Sequence, residues 1–89
     1  MQVLYNKKKL RARCHSLKPV VIIGQTGITD AVIREIDASL EHHELLKIRV
    51  NAADRSERKS FLEQISQKTN SDLIANVGHT ACFYRKKSC

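Results

Sequence analysis

The stretch Val20-Val21-Ile22-Ile23-Gly24-Gln25-Thr26-Gly27-Ile28-Thr29-Asp30 decides how this chain folds. Four β-branched residues in a row read as a buried strand. Gly24-Gln25-Thr26-Gly27 breaks the strand. Thr29 can cap a following helix, and Asp30 suits the positive end of its dipole. That helix carries an apolar stripe at Val32, Ile36 and Leu40, joined by Ile33. Arg34, Glu35, Asp37 and Glu41 are expected to face outward.

Upstream, the spacing predicts a helix over 6–17. Leu10, Cys14 and Leu17 share one face, Lys8, Lys9 and His15 point away, and Arg11 and Arg13 lie on the flanks. Pro19 ends this helix, because the residue before a proline is pushed out of the helical region. Downstream, Leu45 to Val50 alternates: Leu46, Ile48 and Val50 point one way, Leu45, Lys47 and Arg49 the other. Asp54 followed by Glu57 is a capping-box pattern opening a helix that runs to about Thr69. Phe61, Leu62 and Ile65 should point inward, and Asn70 can take the left-handed conformation that stops the helix. Asp72 to Val77 and Thr80 to Arg85 read as strands of a hairpin joined at Gly78-His79.

The element order is α-β-α-β-α-β-β. Right-handed crossovers make the first three strands parallel, and the hairpin adds the fourth antiparallel. The expected fold class is α+β: a two-layer α/β arrangement with a mixed four-stranded sheet, helices mainly on one face. At 89 residues, 1–89 is expected to be one domain with a core over about 7–86.

Charge is unevenly distributed. Of 16 basic residues, six lie before Asp30 with no acid among them, and Arg85, Lys86 and Lys87 close the chain. The net charge of +7 therefore sits at the two ends. This asymmetry points to a polyanionic partner. Three cysteines with no Cys-x-x-Cys pair argue against a disulfide framework and fit a reducing cytoplasm. Cys14 and Cys82 are expected as small core hydrophobes, and Cys89 as exposed. No apolar run is long enough to span a membrane, so no membrane partner is expected.

The chemistry-bearing feature is strand, Gly24-Gln25-Thr26-Gly27, then capped helix. Glycines allow close approach of a ligand backbone, and the helix mouth presents unpaired N–H groups with a partial positive charge. Together they can seat a phosphate, with the basic helix upstream adding contacts. A tight turn that needs glycines and no ligand explains the same residues equally well. The spacing of a Walker loop and one glycine of the dinucleotide fingerprint are missing, which disfavours a nucleotide-hydrolysing or redox enzyme. Gly-x-x-Gly loops that clamp nucleic-acid backbone occur in KH domains.

Leu10-Arg11, Cys14-His15, Leu17-Lys18-Pro19 and Ile23-Gly24-Gln25-Thr26-Gly27-Ile28-Thr29 together resemble the opening of CRM domains (chloroplast RNA splicing and ribosome maturation). His43-Glu44-Leu45-Leu46-Lys47-Ile48-Arg49-Val50 resembles their central strand, and Gly78-His79-Thr80 with Tyr84-Arg85 their closing hairpin. The resemblance spans roughly 7–86 and is nearest to the bacterial stand-alone YhbY family. It implies a fold similar to the C-terminal domain of translation initiation factor three. It also implies RNA binding, on ribosomal RNA in large-subunit precursors, during ribosome biogenesis; a cytoplasmic monomer is expected. Plant relatives carry several such domains and assist group II intron splicing. The residues expected to bind RNA are Gly24, Gln25, Thr26, Gly27 and Thr29 of the loop, Lys8, Lys9, Arg11 and Lys18 of the basic segment, and Arg85. CRM loops often have a basic residue where this chain has Gln25, so one phosphate contact is replaced by an amide donor. Arg13 stands where relatives often have an uncharged residue and can compensate.

No catalytic residue, metal site or cofactor is marked. His42 and His43 suit a helix C-terminus. Cys14-His15 and His79-Cys82 could pool four zinc ligands, but neighbouring helical residues point about 100° apart. Lys47 and Arg49 share a strand face that is either solvated or in contact with RNA. Tyr84 reads as an edge-of-core residue more than a stacking platform. The competing reading is a protein-interaction module that docks a basic surface on an acidic partner.

Overall fold

The computed structural model describes residues 7–24 and 26–86. The order is α1 (Lys7–Ser16), β1 (Val21–Ile23), α2 (Asp30–His43), β2 (Leu45–Val50), α3 (Arg55–Thr69), β3 (Asp72–Val77) and β4 (Thr80–Tyr84). The caps form where the sequence placed them. Val32 N donates to Thr29 Oγ1 at 3.1 Å and Glu57 N to Asp54 Oδ1 at 2.8 Å. Glu57 reaches back to accept from Ala53 N at 2.7 Å, one residue before the cap, a variant of the capping box. Asn70 ends α3 at φ 56, ψ 46.

The four strands form one sheet in the order β1-β2-β4-β3. β1 and β2 are parallel, and β4 runs antiparallel to both β2 and β3. The first three strands thus share a direction, and the last one fills the place between β2 and β3. One sheet face is the main core: Val21, Ile23, Leu46, Ile48, Val50, Ala81 and Phe83 meet Ile36 and Leu40 of α2 and Leu62 and Ile65 of α3. On the other face Leu10 and Cys14 of α1 pack on Leu45, Ile74 and Cys82, with Leu17, Ala75 and Tyr84 at the margin. A register shift between Leu73 and Ala75 puts Ala75 beside Ile74 on this second cluster.

Two expectations are corrected. The run 20–23 is not buried throughout: Val20 is 55% and Ile22 63% exposed. β1 is an edge strand, and α1 covers only part of the second face, so alternate β1 residues are left open. Cys14 and Cys82 are buried as expected but are joined by a disulfide. Their Cα atoms lie 6.3 Å apart, within bonding reach, and the bond ties α1 to the central strand. No spacing rule signals such a pair, because 68 residues separate the two cysteines and only the packing of α1 on β4 brings them together. The expectation for Cys89 lies outside the described residues.

Candidate nucleic-acid interface

Gly24, Thr26, Gly27 and Thr29 lie between the end of β1 and the start of α2; Gln25 is outside the described residues. Gly27 N donates to Gly24 O at 3.0 Å, closing a tight turn. The two glycines differ in what they do. Gly27 has φ +77, and a Cβ there would stand 3.1 Å from Cζ of Phe61. Backbone conformation and the ring of α3 both demand glycine at 27, so its presence is explained without a ligand. A Cβ on Gly24 would meet nothing within 4 Å. Its open flank lets a ligand backbone come close. Replacing Gly27 by alanine should therefore cost about 2 kcal/mol of stability through strain and displacement of the Phe61 ring, measured by denaturant unfolding. Alanine at 24 should leave stability within about 0.5 kcal/mol.

Asn51 N donates to Ile23 O at 2.9 Å and Val50 N to His79 O at 2.7 Å. The turn, residues 51–53 and the hairpin tip therefore gather at one end of the sheet. Helix α1 does not touch this end through its C-terminus. It feeds β1 from the opposite end, through Leu17, Lys18 and Pro19, so the turn and Lys18 are about one strand length, ~13 Å, apart. The open part of the second face lies between them. In register across it stand Ile22, Arg49, Thr80 and Val77, with Lys47 one row nearer α1. Lys47 Nζ donates to Cys14 O at 3.3 Å, linking the strand cation to the helix. Lys8, Lys9, Arg11, Arg13 and Lys18 are all exposed. Arg11 and His15 border a small cleft with Lys47, Val77 and Thr80. The result is a cationic strip running from α1 over Lys47 and Arg49 toward the turn. The alternation Leu45-Lys47-Arg49 was the signal for its middle part.

Arg85 does not belong to this strip. Its guanidinium, 17% exposed, pairs with Asp37 and Glu41 of α2 and also donates to Thr69 O at 2.8 Å and Asp37 O at 3.1 Å. It locks the C-terminal ends of α2 and α3 to β4, at the far end from the turn. These contacts give Arg85 a place in the packing of the fold, and Asp37 and Glu41 face it rather than open solvent alone. Tyr84 is half-buried in the second cluster; burial pushes its phenol above the usual range, the Glu44 carboxylate adds to this, and Arg13 opposes it. Among the described residues no three His, Cys, Asp or Glu side chains gather as a metal site. Among them, too, no helix is long and apolar enough to cross a membrane.

A second cationic feature lies on the helix side. Arg55, Arg58 and Lys59 rim a groove of about 460 Å³ between α3 and β3, floored by Leu62 and Leu73. The Nε of Arg58 is buried there without a hydrogen-bond partner.

A small α+β protein with a cationic sheet face and a glycine turn at a helix mouth presents a surface suited to a polyanionic ligand. The comparisons narrow it. The CRS1/YhbY (CRM) domain model matches residues 5–85. The chain is 36% identical over 80 residues to "Probable RNA-binding protein PA4753" of Pseudomonas aeruginosa, covering 90% of this chain and 77% of that one. It is 37% identical over 87 residues to a Haemophilus influenzae protein named "RNA-binding protein", covering 96% and 88%. The solution structure of SAV1595 from Staphylococcus aureus matches with a TM-score of 0.82 at 33% identity, over 92% of this chain and 85% of that one. The chain belongs to the CRS1/YhbY (CRM) domain family.

Proposed function

We propose that this chain binds ribosomal RNA in precursors of the large ribosomal subunit, as a cytoplasmic monomer acting as one unit without catalytic chemistry of its own. The observation that carries the reading is the cationic strip: α1, Lys47 and Arg49 present positive charge on one side of the sheet, and the Gly24 flank is open at its end. Phosphate contacts along such a strip position folded RNA with modest sequence reading. The relatives' names support RNA as the partner. The family resemblance of the sequence supports the ribosomal target.

Tagged protein sedimented from cell extract should co-migrate with large-subunit precursors and shift to the top of the gradient after RNase. Migration at the top before RNase treatment would overturn the ribosomal target. For the loop, Gly24→Val should keep the fold, since nothing crowds that Cβ. It should weaken binding to in vitro-transcribed large-subunit RNA about tenfold, or ~1.4 kcal/mol. Unchanged affinity in a folded variant would remove the turn from the site.

The groove rimmed by Arg55, Arg58 and Lys59 favours a second reading, in which an acidic protein segment with an apolar anchor docks between α3 and β3. Partner binding retained in nuclease-treated extract and lost in Arg58→Glu would favour it.

A further inference from the structure

Helix α1 is poorly equipped to hold itself in place. It has ten residues, short of what an isolated helix needs in water. Lys7, Lys8 and Lys9 crowd its N-terminal turn, where the dipole is already positive and no acid is present. Only Leu10 and Cys14 are buried, with Leu17 at the edge. Of those two anchors, Cys14 is bonded to Cys82, which is fully buried on the central strand β4. We propose that the Cys14–Cys82 bond is a reversible clamp on α1, so that the redox state of this pair sets RNA affinity. The affinity part rests on the RNA-binding reading above.

The chemistry is thiol–disulfide exchange with a dithiol reductant. A reductant thiolate attacks Sγ of Cys14, the S–S bond breaks, and the Cys82 sulfur leaves as a thiolate that takes up a proton. The second thiol of the reductant then displaces Cys14 from the mixed disulfide. The protein gains two electrons and two protons, and the reductant ends as a disulfide. Oxidation by peroxide reverses the change: one thiol loses its proton and is oxidised to the sulfenic acid, the second thiol displaces water, and the bond reforms. Cys14 is 6% exposed and Cys82 not at all, so attack requires α1 to lift. Arg11, His15 and Lys47 line the cleft that reaches Cys14.

With the bond intact, the cations of α1 are fixed beside Lys47, and RNA meets an organised surface. After reduction α1 loses its covalent tie to β4, while noncovalent contacts such as those of Leu10 and Leu17 and the Lys47–Cys14 hydrogen bond stay. If α1 is docked a third of the time, apparent affinity drops about threefold.

The test compares oxidised and reduced protein and Cys14→Ala, each checked by circular dichroism. Counting thiols by alkylation mass should give one in the oxidised and three in the reduced wild type. Hydrogen exchange of α1 amides should accelerate on reduction and be fast in Cys14→Ala under both conditions. Affinity for in vitro-transcribed large-subunit RNA should fall about threefold on reduction of the wild type and be redox-independent in Cys14→Ala. Equal α1 exchange in both states overturns the clamp. Faster exchange with unchanged, measurable RNA affinity overturns the link to binding. Absence of RNA binding by the oxidised wild type overturns the RNA reading instead, while the exchange data still decide the clamp.

Discussion

Replacing Lys8, Lys9, Arg11 and Lys18 together by glutamine is expected to weaken RNA binding several hundredfold at about 0.1 M salt and scarcely at all near 1 M. Each lysine or arginine that neutralises a phosphate releases condensed counterions and adds about 0.7 to 0.9 to the slope of log affinity against log salt. Four such contacts give a slope of about −2.8 or steeper, which spans that range of affinity over one decade of salt. All four side chains are exposed, so the change should leave the core untouched. Their contacts are separate, so single replacements should add up, each lowering the slope by about 0.7 or more. Fluorescence anisotropy titrations across a salt series provide the measurement. A quadruple variant with the wild-type slope would take α1 out of the interface.

Arg85→Ala is expected to do the opposite: destabilise the fold and spare the RNA contacts. The guanidinium is largely buried and serves two carboxylates and two backbone carbonyls at once. Removing it strands the Thr69 carbonyl at the end of α3, while the Asp37 carbonyl keeps its place in the hydrogen-bond ladder of α2. Asp37 and Glu41 are themselves about half exposed and can turn to water, so the full penalty of a buried broken pair does not apply. About 3 kcal/mol remains, which lowers Tm by at least ~12 °C in a domain of this size. Thermal unfolding by circular dichroism reads the shift. At a temperature where the variant is folded, its salt slope should match the wild type. A slope reduced by about one would return Arg85 to the RNA surface.

These two variants mark where sequence reading succeeds and where it stops. The caps at Thr29 and Asp54, the stop at Asn70 and the apolar face of β2 were all legible. Each is a local pattern in which the residue's own chemistry fixes its place. The exposed flank of Ile22 was not, because four β-branched residues in a row look alike whether one or both faces are covered. Only the extent of α1 decides that. Arg85 sits two residues from Lys87 in a basic tail, and charge alone could not separate it from its neighbours. Its partners lie 48 and 44 residues away on α2, and they meet it only once β4 has taken its place beside β2. The disulfide was hidden for the same reason. The glycine turn was legible as a feature but not in its division of labour, since the Phe61 ring beneath Gly27 belongs to another helix.

The placement of β4 bears on how this protein is made. β2 and β3 do not pair with one another; β2 has β1 on one side, and residues 80–84 fill the place between β2 and β3. While a ribosome has released no more than residues 1–77, the emerging chain holds three co-directional strands with a vacancy where the backbone of the fourth must go. Helices α2 and α3 can form early, but the sheet cannot knit until the final strand slides in and satisfies both sides at once. Completion of the sheet is thus delayed until residues 80–84 have been translated, and a product stopped before residue 80 is left with two unsealed strand edges prone to self-association.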